Sequence, residues 1–206
     1  MNKQLRTIAT VGVFAFWFFV LTNGILHPEY SHISQYISEL GAKDAAYAFL
    51  MNYFGILPFG ASIMILAIYL WRNLNLGLIG KVCWMILFLC GLLFLFASIF
   101  HCDQGCSFTD MSTEALRHNY TAFSAFILAA LTMLLIGLIL LFKKTYSPLL
   151  YVSLSLGILA FILFYIMGKT GIYSEYRGLY QRLFLVDFSI WILFISHKSN
   201  FKLFKL

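Results

Sequence analysis

LRHNYTAFSAFILAALTMLLIGLILLFKK, residues 116–144, runs from Asn119 to Phe142 without a charged side chain and then stops at two lysines. A helix needs about 20 apolar residues to cross the hydrocarbon core of a bilayer. This run is long enough. Working outward in both directions, similar runs lie near 6–26, 46–70, 82–101, 116–142, 148–168 and 179–197. Backbone groups in lipid must be satisfied within their own segment, so each run reads as a helix. The fold class is all-α: a polytopic membrane protein, a six-transmembrane-helix bundle forming one domain over 1–206.

Composition agrees. Hydrophobic residues make up 62% of the 206 and charged residues 11%, against about a quarter charged in soluble domains. Charges also sort by side. Lys3, Arg6, Arg72, Lys81, Lys143, Lys144, Lys198, Lys202 and Lys205 fall on one side of the spans, with no acid among them. Glu29, Glu39, Asp44, Asp103, Asp110, Glu114 and Glu175 fall on the other, and Asp187 lies inside a span. The positive-inside bias places both termini in the cytoplasm and the longer polar loops outside. The net charge of +6 belongs to anionic headgroups at span ends, and no nucleic acid is expected as a partner. The N-terminal apolar run exceeds a signal-peptide core of roughly 7–15 residues and has no small-residue cleavage site, so it reads as a retained span.

The cytoplasmic links are short and predict helical hairpins. The first outer segment carries Ile33, Ile37 and Leu40 at helical spacing, with Gly41 suited to a C-cap. An interfacial helix is expected near 31–41, with Ser34, Ser38 and Glu39 on its polar side. Asp44 suits the N-cap of the second span, and Pro58 is expected to kink that span below Asn52. Asn23 and Asn52 read as interhelical hydrogen-bonding residues. In the fourth span Thr121, Ala122, Ala125 and Ala129 form a small-residue stripe below His118, so His118 is expected to face the bundle. The abundant aromatic residues read mainly as lipid-facing bulk and interfacial belts.

Polar groups concentrate after the third span. Ser98 and His101 are placed on one helix face by their spacing. Asp103, Asp110, Glu114 and His118 follow. His and carboxylate side chains at this density suit a metal site or acid–base chemistry, with His101, Asp103 and His118 as candidate zinc ligands. A hydrogen-bonded loop is the plainer alternative. Cys102 and Cys106 suit either a short disulfide or a metal pair. Cys83 and Cys90 read as packing residues. Asp187 should face the bundle and find a partner there, with a proton relay as the alternative.

Three stretches carry a resemblance: YISELGA at 36–42 followed by MNYFGILPFG at 51–60, FHCDQGC at 100–106 with His118 beyond, and YRGLYQRL at 176–183. In this order they resemble the bacterial integral-membrane family known as domain of unknown function 998. The resemblance implies a six-helix protein of the bacterial cytoplasmic membrane and a shared polar set of Ser38, Glu39, Asn52, Asp103, His118 and Arg182. It implies no particular role for His101, where family members often carry other residues. The zinc hydrolases similar to ceramidase pair a Ser with a His four residues on and add an HxxxH motif. Here Ser98 precedes His101 by three, and HxxxH is absent from the sequence.

Three functions are compatible with these residues. The first is an outer polar pocket for a membrane lipid or small amphiphile, lined by Glu39, Asn52, Asp103, His118 and Arg182, with Arg182 clamping an anionic headgroup. The second is a hydrolase acting on a lipid or lipid-linked substrate. His118 would be its base or metal ligand, Asp103 or Glu39 would orient it, and Ser38 or Ser98 would be the nucleophile. The third is a structural or assembly partner. The first two require Glu39, Asp103, His118 and Arg182 to converge in one pocket.

Overall fold

Six apolar runs give six long helices. The computed structural model describes residues 3–107, 109–170 and 174–197; Lys198, Lys202 and Lys205 lie outside the described residues. The helices are α1 (Lys3–Leu26), α2 (Leu57–Asn73), α3 (Gly77–Ile99), α4 (Thr113–Phe142), α5 (Pro148–Thr170) and α6 (Arg177–His197). Each span is long and apolar enough to cross a membrane, the second running Leu50–Asn73 once the turns ahead of α2 are included. The protein is a multi-pass integral membrane protein. Each helix packs on the next in sequence, and α1 closes the ring against α6.

One face of each helix points outward and stays apolar. Phe14, Phe18, Leu21 and Ile25 form such a stripe on α1, whereas Ala9, Val13, Phe16, Val20 and Asn23 are buried. The centre is aromatic. Phe16 stacks on Phe59 at 4.7 Å, Phe59 meets Phe94 at 5.2 Å, and Phe126 meets Phe184 at 4.9 Å. Phe188 continues the chain to Trp191. The expectation of outward-facing aromatic residues holds for many, Phe14, Phe18, Tyr120, Phe142 and Tyr165 among them, but it does not include this buried aromatic core. In a membrane protein both the interior and the exterior are apolar, so hydropathy does not separate them.

The bundle has two unlike ends. At the hairpin end, residues 74–76 join α2 to α3 and residues 143–147 join α4 to α5. At the loop-rich end lie residues 27–49 and 100–112. Here the helix expected near 31–41 is reduced to one 3-10 turn, Ile37–Gly41. The carbonyls of Ile33, Ser34 and Gln35 accept bonds from α6 and so do not build a helix of their own. Asp44 does not cap the second span, which opens at Leu50 in π-helical turns, Leu50–Ile56, with Phe49 at the N-cap. Pro58 falls in the first turn of α2. A Pro there has no N–H to bond back and crowds the preceding turn, and the widened π segment lies directly upstream of it.

Helices α4 and α5 touch most closely toward the hairpin end. A side chain at Gly137 would sit 2.8 Å from the Leu154 backbone, and one at Gly157 would sit 2.6 Å from the Leu134 nitrogen. Only glycine lets the two backbones approach this closely. Toward the loop-rich end, Phe123 and Phe164 stand between the helices, with ring centroids 4.7 Å apart.

Candidate functional site: a neutral cavity beneath two ionic networks

The first network ties the loop before the 3-10 turn to the start of α6. The first N–H groups of a helix lack intrahelical partners, and that of Leu179 donates to Ile33 O at 2.9 Å. Arg177 Nε donates to Ser34 O at 2.7 Å. Arg182 Nη1 donates to Gln35 O and Gly178 O, both at 2.9 Å, and Nη2 donates to the Tyr30 hydroxyl. Tyr30 passes its own proton to Tyr36 O at 2.8 Å. Burial is the main reason its phenol is pushed up to about 12, against a smaller opposing pull from Arg182. Glu39 accepts from Tyr36 N at 2.8 Å, Gln35 Nε2 at 2.9 Å and Arg177 Nη2 at 3.3 Å. The approach is close enough that a side chain at Gly178 would lie 2.1 Å from Gln35 O.

The second network orders the loop between α3 and α4. Asp103 accepts from the Ser112 N–H at 2.7 Å, the Ser112 hydroxyl at 2.8 Å and Lys43 Nζ at 3.1 Å. The Ser112 bonds first, and Lys43 after them, hold the Asp103 carboxyl below its ordinary value. Asp103 in turn holds Lys43 above its own. Ser112 caps α4 by accepting from Ala115 N at 3.2 Å. Glu114 accepts from His101 N at 2.9 Å and from Nδ1 at 2.7 Å, and Lys43 lies 3.5 Å away. Cys102 and Cys106 are joined as a disulfide with Cα atoms 5.1 Å apart, and Cys102 Sγ rests 3.4 Å from Ser38 O.

Between these networks lies a cavity of about 400 Å³, lined by Tyr36, Ser38, Cys106, His118, Asn119, Ala122, Phe123, Phe126, Phe164, Met167, Gly168 and Gln181. His118 is buried, and its Nδ1 lies 2.8 Å from Phe100 O and 3.1 Å from Ala97 O. Both neighbours are acceptors, so Nδ1 carries the proton. The ring thereby satisfies carbonyls left open at the C-terminus of α3. In the neutral ring the lone pair belongs to Nε2. Gln181 accepts from Ile37 N at 2.6 Å, leaving its amide N–H groups as donors.

This geometry corrects the expected pocket. Of the four residues expected to converge, only His118 lines the cavity. Glu39 and Arg182 belong to the first network and Asp103 to the second. Arg182 is held by the Gln35 and Gly178 carbonyls and the Tyr30 hydroxyl, outside the cavity lining. Asn52 is also elsewhere, donating to Gly41 O at 2.9 Å from within the π turns. Ser38 lines the cavity, but Ser98 bonds to Leu95 O in its own helix at 2.7 Å. Because α3 ends at Ile99, His101 does not share its face. Among the described residues, no three His, Cys, Asp or Glu side chains gather to hold a metal ion. The candidate zinc ligands His101, Asp103 and His118 form no such group. Asp187 is buried with both oxygens unpartnered among the described residues, where a paired carboxylate was expected.

The family described as protein of unknown function (DUF998) matches residues 10–198. The chain belongs to this family. No curated protein and no solved structure matches it. Family membership assigns no activity, so the functional reading rests on the cavity. Sequence reasoning passed over Gln181, Asn119 and Tyr36 in its lining, and Arg177 beside it. A signal was present: Arg177 and Gln181 are four apart on one helix face, in the same motif that supplied Arg182.

Proposed function

We propose that this membrane protein binds a lipid or small amphiphile, not through the converging set of Glu39, Asp103, His118 and Arg182, which the fold separates and which therefore fails as first set out, but in a differently lined cavity walled by α4, α5, α6 and the Ile37–Gly41 turn. One observation carries the reading. The cavity has apolar walls of Phe123, Phe126, Phe164 and Met167 and places His118, Gln181 and Ser38 in the same lining. Ligand sites are typically concave and mostly apolar, with a few polar groups that fix orientation, at about 300–1,000 Å³. Phe123 is half exposed on the outer face of α4, which supports access from the membrane side. The positive-inside bias supports an extracytoplasmic position for this end, in a bacterial cytoplasmic membrane.

Native mass spectrometry of the protein released from detergent tests this. The native chain should retain an amphiphile, and Ala122→Phe, which fills the cavity, should lose it. Equal retention by both would refute the site.

A hydrolytic reading has one observation in its favour. Ser38 and His118 line the same cavity, and the His118 ring is anchored through Nδ1 so that Nε2 is the basic nitrogen. Turnover of an ester amphiphile that disappears in both Ser38→Ala and His118→Gln would support it.

A further inference from the structure

The loop-rich end holds most of the molecule's ionisable side chains, yet among the described residues no Asp, Glu, Lys or Arg lines the cavity. Several nearby charges are engaged elsewhere. Arg182 bonds Gln35 O and Arg177 pairs with Glu39. Asp103 and Glu114 hold Lys43. Arg117 lies 5.7 Å from the Phe100 ring centroid, and Lys169 lies 5.8 Å from that of Tyr165. What remains in the lining is neutral. The Gln181 amide and the Ser38 and Tyr36 hydroxyls can donate. The Asn119 amide nitrogen faces Met111 Sδ at 2.9 Å, which leaves its oxygen to accept. His118 Nε2 accepts in the neutral ring.

We propose that the cavity selects uncharged amphiphiles, with a hydroxyl or carbonyl head on a short apolar tail, and rejects carboxylates, phosphates and ammonium ions. This rests on the binding function proposed above and names its ligand class. A charge brought into such a lining leaves water without gaining a counter-charge, and that penalty is large. A hydroxyl or carbonyl meets both donors and acceptors there. The volume of about 400 Å³ corresponds to about 13 water-sized groups at about 30 Å³ each, which fits a medium-chain alcohol rather than a complete phospholipid.

The test uses the full chain in nanodiscs at pH 8, above the ordinary imidazole value of about 6.5. Binding of 1-decanol, decanoate and decyltrimethylammonium is measured by native mass spectrometry. Only the part of the signal lost in Ala122→Phe is counted as cavity binding. Decanol should bind at least about tenfold more tightly than either ion, reflecting the cost of an unpaired buried charge. Met167→Lys, which adds a cation to the lining, should shift the preference toward decanoate. Decanoate or the ammonium ion binding the native cavity as tightly as decanol would overturn the neutral-ligand assignment while leaving the binding site standing. If no probe gives a signal sensitive to Ala122→Phe, the binding function falls and the assignment falls with it.

Discussion

At the hairpin end, Arg6, Arg72, Lys81, Lys143 and Lys144 take part in no ion pair among the described residues; Lys81 lies 5.8 Å from the Trp71 ring centroid. At the loop-rich end, Lys43, His101, Arg177, Glu39, Asp103 and Glu114 make all the described ion pairs. The difference separates two uses of charge. The hairpin-end cations have no described counter-charge, so each should be replaceable by another, as a bias counted over span ends requires. The loop-rich charges each hold a particular backbone segment, so each should matter individually to stability. Keeping those charges on the backbone is also what leaves the cavity neutral.

The largest expected effect comes from prying the loop off α6. In Gly178→Leu the first added carbon would fall 2.1 Å from a backbone oxygen, which cannot rotate away. A loss of about 3 kcal/mol is expected, the upper end of overpacking costs. Gly77→Ala at the hairpin end is the control. Its φ of 78° disfavours a side chain, but the nearest atom to an added Cβ is Lys143 Nζ at 3.7 Å, so only backbone strain of about 1 kcal/mol is expected. Thermal unfolding in detergent measures both, and equal losses would break the comparison between the ends.

Next in size is Arg182→Ala, which leaves Gln35 O and the Tyr30 hydroxyl without their donor. A cost of about 2 kcal/mol is expected for the unmade bonds. Arg182→Lys should recover only part of it, because an ammonium lacks the planar fork that reaches both partners. Arg72→Ala at the other end should change stability by less than about 0.5 kcal/mol. If Arg72→Ala destabilised as much as Arg182→Ala, the distinction between counted and placed charges would be lost.

These contrasts show which parts of the molecule sequence reasoning could reach. Six spans were legible because length and hydropathy state them locally, and the observed spans agree with the expected runs to within five residues at each end. His118 facing inward was legible from the small residues beneath it. The cavity lining was not. Arg182 and Gln181 are adjacent in sequence and point to different tasks, one to Gln35 O and the other to Ile37 N. Which side chain goes where depends on the fold of residues 27–41. That segment carries helical spacing but gives its carbonyls to α6, a choice made by tertiary bonds. Asp103 and Glu39 read as site residues for a related reason: an acid near a span end looks the same whether it caps a loop or meets a ligand.

A smaller effect should follow pH at the second network. Asp103 is held below its ordinary value, so its contribution is present above about 3.9 and fades as pH falls through its folded value. Lys43 is held above its own, so its contribution is present below about 10.4 and fades as pH rises through its folded value. The loop between α3 and α4 should therefore stay protected across the broad middle range and open at both extremes. Hydrogen exchange at the Ser112 and Ala115 amides measures this, and Asp103→Asn should remove the acid limb. An unchanged acid limb in that variant would assign it to another carboxylate.

A further small effect is expected at Asp187, and it sharpens the comparison from inside the bundle. Glu39 and Asp187 are both acids withdrawn from solvent. Glu39 accepts three bonds, whereas both oxygens of Asp187 lack a partner among the described residues. Replacing a bonded polar group strands its donors, whereas replacing an unbonded one strands nothing. Glu39→Leu should therefore cost about 2 kcal/mol, and Asp187→Leu should change stability by less than about 1 kcal/mol or raise it. Thermal unfolding of the two variants side by side gives the answer. Equal losses would mean that Asp187 is bonded in the folded protein, and its carboxyl would then belong with the placed charges of the loop-rich end.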